Sequence, residues 1–334
     1  MIGSVAIIGF GEVGGILARD LRAAGVGRIA AFDVAFATPD SPQSQAARDA
    51  GATTCASAAE AAGRSDLVIS SVTAGAALDA ARAAAGGLRH GPFFLDVNSV
   101  SPGTKREAAS AVERAGGRYV EAAVMTSVPP HGIRSPMLLG GPHAAEFIER
   151  AAPFGMRLTA FSPEVGVASS VKMCRSVMIK GLEALATECL LAARHYGVER
   201  QVLSSLADTL PHEDWRRLAR HMISRPLVHG RRRAEEMREV ARTVREAGIE
   251  PTLSTPTAAR QDWSAERGRE LPPEILADGD LEALLDVLLA LPAVRGAADA
   301  TWPGRRPWTT LSGPMLTDGG GVASHRGFEP LLPP

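Results

Sequence analysis

The sequence predicts an α/β protein: a doubly wound parallel sheet in the first half, joined by one long helix to an all-α second half. Three observations predict it. A β-branched run breaks at the glycine-rich stretch GFGEVGG (9–15), strand and helix patterns then alternate to about residue 162, and after Ser162-Pro163 the strand patterns vanish and helical spacing takes over. The expected division is a nucleotide-binding domain over 1–163, a helical domain over 164–295 and a Gly/Pro-rich tail over 296–334 that shows no periodicity.

Residues 4–9, SVAIIG, stop at a glycine, and the following turn opens directly into ILARDLRAAG, a helical pattern ending at Gly25. Gly9, Gly11 and Gly14 match G-x-G-x-x-G, with Phe10, Glu12 and Val13 between them. The first glycine permits the turn, the second lets a pyrophosphate approach the backbone, and the third lets helix and strand pack closely. The helix N-terminus then offers free N–H groups to the phosphates. Residues 28–32 read as a second strand, and Asp33 follows at the distance where a carboxylate accepts from ribose hydroxyls and repels a 2′-phosphate. The expected fold is therefore of the Rossmann type, and the expected cofactor is NAD, with NADP disfavoured.

Alternation continues through helices near 43–50, 58–62, 76–85, 102–115 and after Pro142, and through strands at 53–55, 66–72, 92–99, 118–125, 136–141 and 156–161. Ligands of such sheets lie beyond the carboxyl ends of strands. Val72-Thr73, Asn98-Ser99 and the stretch 125–130 occupy those ends and are candidates for cofactor or substrate contact.

The stretch 166–197 has the spacing of one helix, about 45 Å long at the usual rise. Val167, Val171, Cys174, Met178, Leu182, Leu185, Cys189 and Ala192 form an apolar stripe expected to pack. Lys172, Ser176, Lys180, Glu183 and Thr187 form a polar stripe. Its first turns are expected to face the cleft between the two halves, and Glu183 and Thr187 are expected in solvent. Lysine occurs only at Lys105, Lys172 and Lys180, in a chain otherwise using arginine. Two of the three share this face, and a lysine, unlike an arginine, loses its proton on burial. Further helices are expected over 200–209, 213–224, 231–247, 256–267 and 281–291. Arg231, Arg232 and Arg233 would begin one of them, a position unfavourable with the helix dipole, and are candidates to clamp a substrate carboxylate or phosphate.

Composition narrows the function. A formal net charge of −1 gives no field to draw nucleic acid or an anionic membrane. Cys55, Cys174 and Cys189 lie far apart without a CxxC pair, so neither a disulfide framework nor a structural metal site is expected. A reducing, cytoplasmic setting fits. Neither a signal-type segment nor an apolar run of membrane-spanning length is apparent. A small molecule is the expected partner.

Taken together, the motifs resemble the β-hydroxyacid dehydrogenases, the superfamily of 6-phosphogluconate and 3-hydroxyisobutyrate dehydrogenases, over about residues 3–290. GFGEVG matches its opening fingerprint, and LDVNSVSPGTKREA (95–108) looks like the strand-end segment that contacts nicotinamide and substrate. EAAVMTSVPPHGIRSPMLLGG (121–141) resembles the substrate loop, with Ser127 in the place of its serine. GVASSVKMCRS (166–176) matches the glycine-led helix whose catalytic lysine falls on Lys172. HGRRRAEEMREVARTVREAGI (229–249) suggests a branch with a phosphogluconate dehydrogenase-like helical domain. Three departures all touch the substrate side: Ser176 stands where the family has Asn, Val128 and Pro129 replace paired glycines, and Glu235-Glu236 replace a Lys-Asp pair.

The resemblance implies hydride transfer between NAD and a small β-hydroxyacid, with Lys172 as general acid/base and Ser176 holding the substrate oxygen or the lysine. Asn98, Ser99 and Ser127 would orient the substrate's acid group and the nicotinamide amide, aided by Arg231 and Arg232. It also implies a homodimer or higher oligomer formed through the helical domain. Two rivals stay open: an imine reductase of the same architecture, whose members typically lack the lysine, and a non-catalytic NAD-sensing module.

Overall fold

A computed structural model describes residues 2–277 and 280–292, so the expected tail over 296–334 lies outside the described residues. The first half is one eight-stranded sheet in the order β3-β2-β1-β4-β5-β6-β7-β8. Its elements in chain order are β1 (Ser4–Ile8), α1 (Glu12–Ala23), β2 (Arg28–Phe32), α2 (Pro42–Asp49), β3 (Thr53–Thr54), α3 (Ala58–Ala62), β4 (Leu67–Ser70), α4 (Ala77–Ala84), β5 (Phe93–Asp96), α5 (Pro102–Arg114), β6 (Arg118–Val124), α6 (Val128–His131), β7 (Met137–Gly140), α7 (Ala144–Ala151) and β8 (Leu158–Ser162). Central strands are covered on both faces, which is why they read as unbroken apolar runs. Val5 and Ile7 enter one core with Leu17, Leu21 and Leu95, while Ala6 and Ile8 enter another with Phe94, Val112 and Tyr119.

Strands β1 to β6 pair in parallel, and β7 runs antiparallel to β6. The connection between β6 and β7 carries no crossover beyond the short α6, so the chain turns back rather than returning to the same edge. The carboxyl ends of β1, β4, β5 and β6 therefore lie along one edge of the sheet, where the second half meets it.

That half comprises α8 (Val167–His195), α9 (Glu199–Thr209), α10 (Trp215–Glu246), α11 (Ser254–Glu270), α12 (Pro273–Ala277) and α13 (Leu281–Ala290). Helix α8 is attached to the sheet at its N-terminus. Gly166, at φ +103°, supplies the N-cap without a side chain of its own. The Glu121 carboxylate of β6, fully buried, takes its place and accepts from the N–H groups of Gly166 (2.6 Å) and Ser169 (2.5 Å). The carboxylate satisfies two orphan donors and faces the positive end of the dipole. Gly140 stands opposite Glu121 in the β6–β7 register, and a Cβ there would run into Glu121 Oε2. The cap needs that empty place.

Two expectations are corrected here. The separate helices over 213–224 and 231–247 are one 32-residue helix, α10, continuous through Pro226. Pro226 forfeits one backbone bond, but it is buried beside Ile223 and Leu227, which pack with Leu190, Leu281 and Leu284, and tertiary packing outweighs local propensity. Arg231 to Arg233 thus lie in mid-helix, away from any dipole penalty. Beyond its first turns, the faces of α8 are also reversed. Met178 and Leu185 are 62% and 66% exposed, whereas Lys180, Glu183 and Thr187 are 4%, 3% and 1% exposed. Helices α10 and α11 pack on the polar side because they bring partners for its charges, and the apolar stripe is left outward.

Helices α10 and α11 touch backbone to backbone at two places. A Cβ on Gly230 would collide with the Gln261 carbonyl, and one on Gly268 with that of Leu227.

Replacing Glu121 by Gln removes the charge at the helix N-terminus and leaves a weaker acceptor for two buried donors. It should cost about 2 kcal/mol, read as a lower urea midpoint, and Gly140→Ala should act in the same direction. An unchanged midpoint in both variants would mean that α8 is anchored elsewhere.

Candidate active site

The glycine-rich turn forms an open cradle. Gly9 has φ +88° and its missing Cβ leaves room for the Ser71 carbonyl, while a Cβ on Gly14 would run into the Gly9 carbonyl. Gly11 is different: it is exposed, and a Cβ there would meet nothing within 4 Å. It caps α1 with no side-chain acceptor, leaving the first N–H groups of the helix directed at open space. The Asp33 carboxylate stands at the end of β2 and accepts from Phe10 N–H (2.7 Å) and Ala35 N–H (2.8 Å). It ties the turn to the second strand and retains lone pairs for hydroxyl groups. Phe10 is buried; Glu12 is exposed and Val13 half-buried beside the cradle. Open space at Gly11, uncapped donors and a carboxylate one strand away fit a dinucleotide.

The next strand ends are stitched together. Asn98 Oδ1 accepts from Val72 N–H (2.8 Å) and its Nδ2 donates to Ser70 Oγ (2.9 Å), so the ends of β4 and β5 share one side chain. Beneath it, Asp96 is buried with Lys105 (Nζ to Oδ1, 3.0 Å) and accepts from the Tyr119 hydroxyl (2.7 Å). Burial, with the Asp96 charge added, pushes that hydroxyl well above its ordinary pKa. Asp96 Oδ1 also accepts from Asn98 N–H (2.9 Å), so the ion pair holds Asn98 in place. Thr73 is exposed, Ser99 half-buried, and Ser127 exposed at the start of α6.

Across the edge lies the polar face of α8. Lys172 is half-buried, and burial brings its amine down to about 8. Glu236 opposes that shift, and the positive charges of Lys180, Lys105 and Arg232 add to it. Those charges come from both halves of the chain, so Lys172 is where they meet. Ser176, one turn on, donates to the Lys172 carbonyl (2.9 Å). Lys180 Nζ donates to Glu236 (2.6 Å), which also accepts from Arg232 (2.9 Å). Burial alone would raise the Glu236 carboxyl, but Lys180, Arg232 and Lys172 outweigh it and hold it at about 2. Arg233 is buried against Glu183 and Gln261. Of the arginine run, only Arg232 thus reaches the surroundings of Lys172; Arg231 is exposed with no hydrogen bond or ion pair among the described residues.

Residues 4–153 match the family described as the NAD binding domain of 6-phosphogluconate dehydrogenase, and residues 193–264 match a domain of unknown function (DUF1932). A conserved hypothetical protein from Sinorhizobium meliloti 1021 is 37% identical, with 86% of this chain and 96% of that chain covered at a TM-score of 0.67. A second conserved protein, described as structurally similar to 3-hydroxyacid dehydrogenases, is 35% identical over 80% of this chain and 98% of its own, at a TM-score of 0.61. The chain belongs to this 3-hydroxyacid dehydrogenase-like family. A 3-hydroxyisobutyrate dehydrogenase from Mycobacterium tuberculosis, solved with L-serine, shares the fold at 18% identity and a TM-score of 0.62, covering 87% of this chain and 100% of that one.

In this 3-hydroxyacid dehydrogenase-like chain, the contact between the halves rests on residues that the sequence reading passed over. Glu239 accepts from Ser101 N–H (2.8 Å) and Thr104 Oγ1 (2.7 Å), and Glu246 accepts from Gly103 N–H (2.9 Å), so two acids of α10 cap the start of α5. Their signal was present: Arg225, His229, Arg232, Glu236, Glu239, Thr243 and Glu246 recur at alternating steps of four and three. Splitting the helix at Pro226 hid that stripe.

Because Gly11 borders open space, Gly11→Val should leave the thermal melt within about 2 °C of wild type while weakening NAD binding at least tenfold, read by calorimetry. Normal binding by a folded variant would place the cofactor elsewhere.

Proposed function

We propose that the protein is an NAD-dependent oxidoreductase that moves a hydride between the cofactor and a small β-hydroxyacid, with Lys172 as general acid/base. The observation that carries this reading is a half-buried lysine brought to about 8 among charges from both halves, in a chain whose first half carries a cradle that fits a dinucleotide. Gly9 to Gly14, Val72, Thr73 and Asn98 would hold the cofactor, and Asp33 would take the ribose hydroxyls, favouring NAD over NADP. Bound nicotinamide supplies the hydride acceptor.

The remaining chemistry falls to the protein. Oxidation of an alcohol needs a neutral amine to remove the hydroxyl proton, and a lysine at about 8 is partly neutral near neutrality where an ordinary lysine is not. Glu236 keeps the amine from falling further, so the protonated form is also available as the acid for the reverse direction. Ser176 spends its proton on the Lys172 carbonyl and fixes the helix turn that aims the amine, leaving its oxygen as an acceptor. Asn98 has one amide N–H left, and Ser99, Ser127, Arg231 and Arg232 supply further donors for a substrate carboxylate.

The outward stripe of α8 points to a second copy of the chain. Cys174, Met178, Ile179, Leu182, Leu185 and Cys189 are exposed along about four turns of one helix, which a two-fold axis would lay against itself.

A panel of β-hydroxyacids, L-serine included, followed by nicotinamide absorbance with NAD and NADP tests the reaction. Oxidation should rise with pH through an inflection near 8, as Lys172 loses its proton, and the reverse reaction should fall through the same range. Lys172→Ala should keep NAD binding, lose that limb and lower kcat by at least about a hundredfold; near-normal kcat would remove Lys172 from the mechanism. Light scattering should give a dimer or larger for wild type and a monomer for the double variant Leu182→Glu, Leu185→Glu. A wild-type monomer would sink the interface.

A further inference from the structure

The polar stripe of α10 changes character along its length, and the two ends are treated differently by the fold. Its acidic end is fully engaged: Glu236 holds Lys180 and Arg232, Glu239 holds Ser101 and Thr104, and Glu246 holds Gly103. Its basic end is not. Arg225 makes no hydrogen bond or ion pair among the described residues, and its Nε is buried without an acceptor. Buried donors in folded chains almost always have a partner, so this one points to an acceptor supplied from outside the chain.

The placement of the helix says where that acceptor lies. Glu239 and Glu246 sit at the start of α5, beyond the end of β5. Glu235 lies beside Gly75, just past the end of β4, with its own Oε2 buried and unpartnered. His229 is within electrostatic reach of Glu12, the first residue of α1, beyond the end of β1. Helix α10 thus crosses the ends of β5, β4 and β1 in turn. Ten residues from Glu239 to His229 rise about 15 Å, long enough to span the two strand spacings, about 10 Å, between β5 and β1. Arg225 is one further turn along, about 6 Å beyond His229 on the same face.

At the end of β1 the open surface is the uncapped N-terminus of α1 and the empty place at Gly11. We propose that Arg225 and His229 close over this cradle from the helical side and bind the diphosphate of the dinucleotide, opposite the α1 N–H groups. A guanidinium fork matches two phosphate oxygens at once, and its orphan Nε is then satisfied. Arg232 and Arg233 are each already held by a glutamate and so do not compete with Arg225 for the ligand. The inference rests on the cofactor reading above and adds a second wall to the site: the dinucleotide is gripped by both halves.

The test uses the full chain and calorimetry with three probes, NAD, ADP and adenosine, so that it is independent of turnover. Arg225→Gln should weaken NAD and ADP by about tenfold or more and leave adenosine, which lacks phosphate, unchanged. Arg225→Lys should recover part of the loss, and His229→Gln should give a smaller loss in the same order of probes. Raising salt should weaken ADP binding less in Arg225→Gln than in wild type. If Arg225→Gln melts early, Arg225→Lys and His229→Gln decide by the same ratios. Equal affinities for ADP in wild type and folded variants overturn the clamp, as does a loss confined to the KM of a hydroxyacid, which would move Arg225 to the substrate. Wild type that binds neither NAD nor ADP removes the cofactor reading itself.

Discussion

One buried carboxylate sets the position of everything that acts. Glu121 leaves the middle of the sheet and ends on the first N–H groups of α8, so the helix that carries Lys172 starts from a point fixed by strand pairing. Lys172 follows Ser169 by three residues, close to one turn, and its direction is inherited from that cap. A charge with no water around it is tolerated because the dipole of a 29-residue helix and two N–H groups meet it. Gly140 across the ladder keeps the place for it open. The same carboxylate could not perform this task from a loop, where its position would be loose.

The layer between α8 and α10 follows a related logic. Lys180 with Glu236 and Arg233 with Glu183 are ion pairs almost wholly removed from water, an arrangement that is strongly destabilising when one member is lost and only weakly stabilising when both are present. What such pairs provide is register: two long helices with apolar contact alone could slide by a turn, whereas these charges match in one alignment. That alignment also places Glu236 where it moderates the amine of Lys172. Packing and the electrostatics of Lys172 share one carboxylate.

The sheet and the glycine-rich turn were legible in the sequence because their signals are local. Gly9, Gly11 and Gly14 encode a turn within six residues, and Asp33 is placed by a single strand. The strand ends at Val72 and Asn98 follow from the alternation of elements, and the structure joins those two by one amide. The helical half was less legible, for reasons that are tertiary. An apolar stripe on α8 says only that something covers it, and the partner inside the chain turned out to select the polar stripe instead. Pro226 reads as a break from its neighbours, yet Ile223 and Leu227 are held by residues from distant helices. Arg225 carries no motif at all; only the continuity of α10 shows that it shares a face with Glu246.

The close crossing at Gly230 and Gly268 gives that long helix a mechanical character. At these two places α10 and α11 touch backbone to backbone, and beyond them Met237 and Val240 pack with Ala258 while Arg233 holds Gln261. From Gly230 the helix runs five residues to Arg225 and sixteen to Glu246, about 7.5 Å and 24 Å. The absence of two side chains, a matter of packing, thus lets one continuous span be clamped along its middle while its far end caps α5.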